Sequence, residues 1–546
     1  MLLLFFLLTT ILPQPKDYKQ LNKQAVNEYQ IPIRPGYEGR NPFWNTYAKK
    51  FIYAPAFDFN PVNGAEYYLF SVTLQGTIDN TEVRGDDDGE ALKASSRKKS
   101  LSLNGHQTWT FKASSPKSNL SPIWKSLPVG DMHVKVEAYD KDDRQIGVAG
   151  ERSFFRDFPF SGPYHPAIRP YEEVARIALL YIHEMPEIQS WKDSVMPNMN
   201  YKHNTYANKI IGNTISAEIL VAKLFPEYRE DALRIARNAA QFLIDHSRPE
   251  GEKLAFFPPT YYGNLVASKR NQGLTMTMDA CYAANAFLDI YDMTKEDIYL
   301  QQALKIINTY SKLQDNNGMI PIKVKFETGE AVNPNGALQT PLMALIVRIQ
   351  KHYAIHQYDH TLAKAERWMN DIALKSFEMK GQFEDMSVNV KPYENLTNST
   401  ASAYASYLLS KEKPSRQNIA DAFDLIRFSE DQFVHWDCLP SPNGIRRMYG
   451  PCVFEQYHYN TPVDASSCNV ANAMLDYYEA TGDRLALAKA VALINELIIA
   501  QDIQTGKTST TIDYREPFKE KGRVFWVNCS LSTIKAWLRL SAMTAR

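Results

Sequence analysis

The chain has no excess charge of either sign, since 61 basic residues balance 61 acidic ones. A nucleic-acid partner normally calls for a basic surplus to neutralise phosphates, so that class is disfavoured. Cysteine is scarce: the 5 residues, at 281, 438, 452, 468 and 529, form no CxxC pair and no other metal-ligand spacing,. No metal or cofactor is expected. A Cys438–Cys452 disulfide stays open for an exported chain. No segment after the N-terminus approaches the roughly 18 apolar residues of a membrane span. HExxH, a Gly-x-Ser-x-Gly elbow and a phosphate-cradling glycine loop are all missing. The oligomeric state is left open.

Met1–Pro13 is an almost unbroken apolar tract, too short to cross a bilayer,. It has the character of a secretion-signal core, although the usual basic residues before it are lacking. Residues 1–15 are therefore read as a signal segment, and the protein is expected to be exported, to the periplasm or the cell surface. At 546 residues the chain exceeds one ordinary hydrophobic core, so two domains are expected,. Residues 40–157 are strand-like: Ala65–Thr73 and Met132–Tyr139 are rich in β-branched and aromatic residues and are bounded by Asn63-Gly64 and Pro128-Val-Gly130,. This predicts a small antiparallel β-sandwich of fibronectin type III kind. Residues 158–170 are proline-rich and read as a linker,. From 171 to 546 the period is helical.

Within that region one stretch is written twice. Cys281-Tyr-Ala-Ala-Asn285-Ala-Phe-Leu288-Asp289 aligns with Cys468-Asn-Val-Ala-Asn472-Ala-Met-Leu475-Asp476, and the ungapped match runs to Asp315 and Asp502. A fixed period of this kind signals repeated supersecondary units. Amphipathic helices centred near Ala236, Ala303, Ala365, Ala422 and Ala490, with a sixth at 171–184, alternate with more apolar helices. The latter lie near 205–224, 272–292, 336–356, 398–410, 463–479 and 528–542. All-round apolar helices belong inside and amphipathic ones outside. Six hairpins predict a mainly α fold, an (α/α)6 toroid.

The inner-to-outer connections are short and the outer-to-inner ones long, which gathers the long loops at one mouth,. These loops carry His203, Tyr206, Tyr262, Arg270, Asn271, His435, Trp436, Arg446, Glu455, Tyr457, His458, Asp464 and Trp526. Aromatic faces with amide and carboxylate neighbours suit sugar rings, and cations suit a sugar carboxylate. The β domain, the ring and the run Glu455-Gln-Tyr457-His458-Tyr-Asn-Thr-Pro-Val-Asp464 together resemble the six-hairpin glycosidase superfamily. Within it, the chain resembles β-glucuronidase-like glycoside hydrolases of Bacteroidetes, family 154 among them. The resemblance implies an exported hydrolase acting on an oligosaccharide or polysaccharide that contains uronic acid.

Glycosidic hydrolysis needs a proton donor and usually a second carboxylate. Glu455 and Asp464 lead, with Asp279 and Asp437 in reserve. Asp464 could instead cap a helix, and Glu455 could bind a backbone amide. Asp279, in an apolar inner helix, needs a partner or a raised pKa. The alternative is a polysaccharide lyase or an epimerase acting at C5 of a uronate through His203, Tyr457 or neighbouring Tyr and His residues. In both readings Tyr206, Tyr262, Arg270, Asn271, His435, Trp436, Arg446, His458 and Trp526 would contact substrate. A glycan-binding protein without catalysis is the reading from another class.

Overall fold

The computed structural model describes residues 11–34, 43–76, 107–263, 271–332, 334–384, 390–437, 451–511 and 525–545. The signal-like tract falls largely outside these, as do Arg270, Cys438 and Arg446. No helix among the described residues is long and apolar enough to cross a membrane.

The N-terminal part begins with a helix that its polar composition concealed, α1 (Tyr18–Glu28). Strands β1 (Lys50–Phe51), β2 (Tyr67–Gly76), β3 (Thr108–Ala113), β4 (Gly130–Tyr139) and β5 (Gln145–Arg156) form one curled sheet in the order β1-β5-β4-β2-β3. All pairings are antiparallel except β1 with β5. Alternation along β4 buries Met132, Val134, Val136 and Ala138 on one face. That face closes over Phe51, Phe57 and the short helix α2 (Ser121–Trp124). No second sheet stands opposite it among the described residues, so what is seen of the expected sandwich is one sheet on a local core.

The proline-rich segment is a packed strap. Phe160 is buried against Tyr18 of α1 and edge-on to Trp436, and Asn22 donates to the Gly162 carbonyl at 2.6 Å. Charged side chains join the sheet unit to the ring. Lys50 lies 2.8 Å from Asp157 and donates to the Val434 carbonyl at 2.6 Å. Asp431 accepts the amides of Ile52 and Tyr53.

Among the described residues, twelve helices build the toroid. The first outer helix is α3 (Tyr171–Glu184). Inner and outer helices then alternate: α4 (Ala207–Leu224), α5 (Arg229–Asp245), α6 (Ala280–Thr294), α7 (Asp297–Leu313), α8 (Thr340–Tyr353) and α9 (Asp359–Trp368). The series ends with α10 (Asn398–Leu409), α11 (Arg416–Phe433), α12 (Asp464–Thr481), α13 (Arg484–Ile499) and α14 (Val527–Thr544). The inner helices touch in sequence, and α14 returns to α4, so the ring is closed. α3 packs on α14, which makes the first outer helix the cover of the last inner one. Close approach is sequence-driven: a Cβ on Gly212 of α4 would sit 3.1 Å from the Tyr282 backbone of α6.

The two repeat copies explain themselves at the foot of the ring. Arg348 of α8 donates to Asn285 Oδ1 at 3.2 Å, Asp289 at 2.8 Å and Asp292 at 2.9 Å, all on α6. Arg539 of α14 does the same to Asn472 at 3.2 Å, Asp476 at 2.7 Å and Glu479 at 3.0 Å, all on α12. The repeated Asn and Asp are thus acceptors for an arginine from the following inner helix. A planar guanidinium suits such multiple acceptance.

Small strands shape the opposite, mouth end. β6 (Leu274–Met276) pairs with β7 (Lys323–Lys325), and β8 (Val434–His435), β9 (Cys452–Gln456) and β10 (Tyr459–Pro462) make a second small sheet. These strands fix the loops from which the chemistry comes.

Candidate active site

Two acidic groups stand at the heads of the two repeat copies. Asp279 ends a short 3-10 turn just before α6 and is 7% exposed. Its Oδ2 has no hydrogen-bond partner among the described residues. Burial pushes its pKa up to about 7, and the negative charge of Glu384 adds to this, while Lys209, Thr260 and Lys323 pull the other way. A carboxyl of this kind is half protonated near neutral pH and has a free oxygen from which to give the proton.

Glu384 is supplied by the loop before α10 and pairs with Lys209, the third residue of α4. Its position is set through its backbone: the Glu384 carbonyl accepts from the Tyr261 hydroxyl, from Asn271 Nδ2 at 3.3 Å and from Lys323 Nζ at 3.3 Å. Lys323 also donates to Asn271 Oδ1 at 2.9 Å. Burial disfavours the Lys209 ammonium, but Glu384 outweighs that and holds its pKa above the ordinary lysine range.

Asp464 opens α12 and is 1% exposed. Its Oδ1 accepts the Ala465 amide at 2.6 Å, and its Oδ2 accepts from Thr533 Oγ1 at 3.3 Å. Burial raises its pKa to about 8; those two bonds oppose the rise and the nearby Glu455 charge adds to it. Asp464 is therefore a neutral acid at pH 7 whose oxygens are both engaged. Glu455, on β9, is half-buried, and its backbone carbonyl accepts from Thr397 at 2.7 Å and Asn398 at 3.0 Å at the start of α10. α6 and α12 are three inner helices apart in a ring of six, so the two acidic groups face each other across the mouth.

Between them lies an aromatic floor. Trp526, which precedes α14, stacks on His203 at 3.9 Å and on Tyr206 at 5.4 Å between ring centroids, and Lys209 Nζ sits 4.5 Å above it. Tyr201 locks this edge, its hydroxyl donating to the Phe525 carbonyl and accepting the Val527 amide. Burial and the Lys209 charge bring the His203 pKa down to about 4, so its imidazole is neutral at pH 7 and a weak base,. Tyr282 of α6 is 43% exposed and responds to Asp279, Lys209, Glu384 and Cys529 together, which puts its ring on the lumen wall.

Of the residues singled out from sequence, the structure gathers Asp279, Asn271, His203, Tyr206, Trp526, Glu455 and Asp464 around this opening. Five stand elsewhere. Tyr262 packs edge-on to Phe242 of α5 and His246, because its backbone is bonded to Thr205 and its ring is turned outward. His435 is buried 3.3 Å from Asp157 under the curled sheet, with a pKa lowered to about 4 by burial and Lys50. Trp436 donates to Glu430 at 2.9 Å beneath the strap. Tyr457 packs on Phe433 and donates to Gln432 at 2.7 Å. His458 is exposed, its amide bonded to Asn395. Lys209, Tyr282, Lys323 and Glu384 were not foreseen. The available signal was a lone lysine on an apolar inner helix, and an acid inside a long mouth loop.

No protein-family model matches the chain, and no curated protein matches it. Among solved structures it is similar to a family 76 glycoside hydrolase from a bovine Bacteroides thetaiotaomicron strain, at 10% identity and a TM-score of 0.46, over 90% of this chain and 99% of that one. It is similar also to cellobiose 2-epimerase from Spirochaeta thermophila, at 8% identity and 0.47, over 68% and 98%. An unsaturated glucuronyl hydrolase specific for heparin is similar at 10% identity and 0.45, over 69% and 98%. Such distant likenesses fix neither a reaction nor a substrate.

Proposed function

We propose that the chain is an exported carbohydrate-active enzyme that hydrolyses the terminal glycosidic bond of a uronic acid-containing glycan. The observation that carries this reading is Asp279, a buried carboxyl with a pKa near 7 and an oxygen unbonded among the described residues, at the head of the inner helix opposite the one that Glu455 leads into. Asp279 would protonate the leaving oxygen, and Glu455 would activate water or attack the sugar. Asp464, with both oxygens engaged, then acts as a positioning acid beside Glu455 rather than as the donor. The Trp526–His203–Tyr206 stack offers the apolar face that a sugar ring needs,.

Hydrolysis is preferred to elimination because the nearest imidazole, His203, is too weakly basic to remove a C5 proton well at neutral pH,. The experiment is incubation with uronate-terminated oligosaccharides, following absorbance near 235 nm alongside released sugar. Release of a saturated uronic acid without new absorbance is expected. A conjugated double bond would replace hydrolysis by elimination. Binding without either product would leave a glycan-binding protein.

A further inference from the structure

The inner helices expose one stripe each to the lumen. On α14 that stripe is Asn528, Ser532, Lys535 and Arg539, at intervals of four, three and four residues, while the residues packed on neighbouring helices are buried,. Lys535 is exposed and lies within electrostatic reach of Asp289 on α6 and Arg348 on α8. α8 is the inner helix opposite α14 in the ring, so the Lys535 side chain points toward the axis.

The repeat shows what is unusual about it. Carried on from Cys281 and Cys468, the same offset places Thr340 on Val527, the first residues of α8 and α14, and Arg348 on Lys535. In the second copy, however, the binding of the Asn and two acids belongs to Arg539, one turn further on. Position 535 is thereby released from the framework role that Arg348 still performs. Arg348 and Arg539 are each matched by two carboxylates. Lys535 makes no hydrogen bond or ion pair among the described residues.

Depth is the remaining point. Lys535 lies seven residues below Asn528, about 10 Å along the helix axis. Helical side chains lean toward the N-terminus, here toward the mouth, so the ammonium rises by about a turn, roughly 5 Å, from its own backbone. That leaves it roughly 5 Å below the level of the Asn528 backbone.

We propose that Lys535 is the specificity-determining anchor for the carboxylate of the terminal uronate, which enters the lumen with that group pointing down. The proposal rests on the glycan-processing reading of the mouth and extends it to the lumen floor. Burial pulls the Lys535 pKa down and Arg348 adds to this against the pull of Asp289, the condition of an enclosed cation short of countercharge. An entering carboxylate supplies that countercharge through a charge-assisted hydrogen bond.

The test is calorimetric titration of the full chain with methyl β-glucuronide and with methyl β-glucoside, which differ at C6 alone. Wild type is expected to bind the glucuronide roughly ten- to a hundredfold more tightly. Lys535→Met should bring the two to near parity with glucoside affinity unchanged, and Lys535→Arg should keep most of the preference. Should Lys535→Met lose its cooperative melt, Lys535→Gln supplies the same comparison. A wild type without preference, or a Met or Gln variant that retains it, overturns the proposal. Absence of turnover with the preference intact would count against the hydrolase reading alone.

Discussion

Under Arg348 the first repeat copy offers Asn285, Asp289 and Asp292; under Arg539 the second offers Asn472, Asp476 and Glu479. At their heads the copies part. The first leads from Asp279, with an oxygen unbonded among the described residues, to Glu384 and Lys209. The second leads from Asp464, bonded through both oxygens, to Glu455. The foot ties neighbouring inner helices together by the same chemistry in both copies. At the head, loops of different sequence give each buried carboxyl a different environment. Two acids with different surroundings are what acid and base roles require.

This contrast can be broken at several points. The largest effect is expected at Asp464. Its native pKa of about 8 lies above the unfolded value near 4, so the native state holds the proton more tightly,. Its stability contribution is full below about pH 4 and is lost as pH rises through 8. Asp464→Asn, a permanent mimic of the neutral acid, should flatten that loss in urea titrations at pH 5, 7 and 9; an unchanged pH slope would mean that Asp464 is ionised in the fold.

Next come the feet. Arg348→Met and Arg539→Met should each cost about 1–2 kcal/mol, because each leaves one half-buried and one exposed carboxylate without their guanidinium,. Denaturant midpoints for the two variants should shift alike. A large shift for one and none for the other would show that the copies are not equivalent as framework. In binding, Trp526→Ala should raise KM about tenfold, by removing the stacking face,. An unchanged KM would move the sugar off the Trp526 platform.

Much of the framework was legible because helix periodicity is local. The repeat, the alternation of apolar and amphipathic helices and the sixth amphipathic helix at 171–184 all follow from spacing within one or two turns. α1 escaped because Tyr18–Glu28 is mostly polar, and its apolar edge, Leu21 and Ala25, has meaning only against the strap and α13. The mouth was legible as a set of loops and not as a set of contacts. Glu384 takes its place through Tyr261, Asn271 and Lys323, partners that lie distant in the chain. His435 and Trp436 look like site residues by type, but the curled sheet and the strap bury them. Long loops announce a mouth; which side chains turn into it is decided by the domains that cover the rest.

The central claim is that Asp279 gives the proton that breaks the glycosidic bond. Its most direct test is the release of saturated uronic acid from a uronate-terminated oligosaccharide by wild type and by Asp279→Asn at pH 6, 7 and 8. The account predicts wild-type release that falls as pH rises through about 7, the pKa at which Asp279 loses its proton, and a variant at least about a hundredfold slower with an unchanged melt,. A folded Asp279→Asn protein that releases uronic acid at the wild-type rate would contradict it.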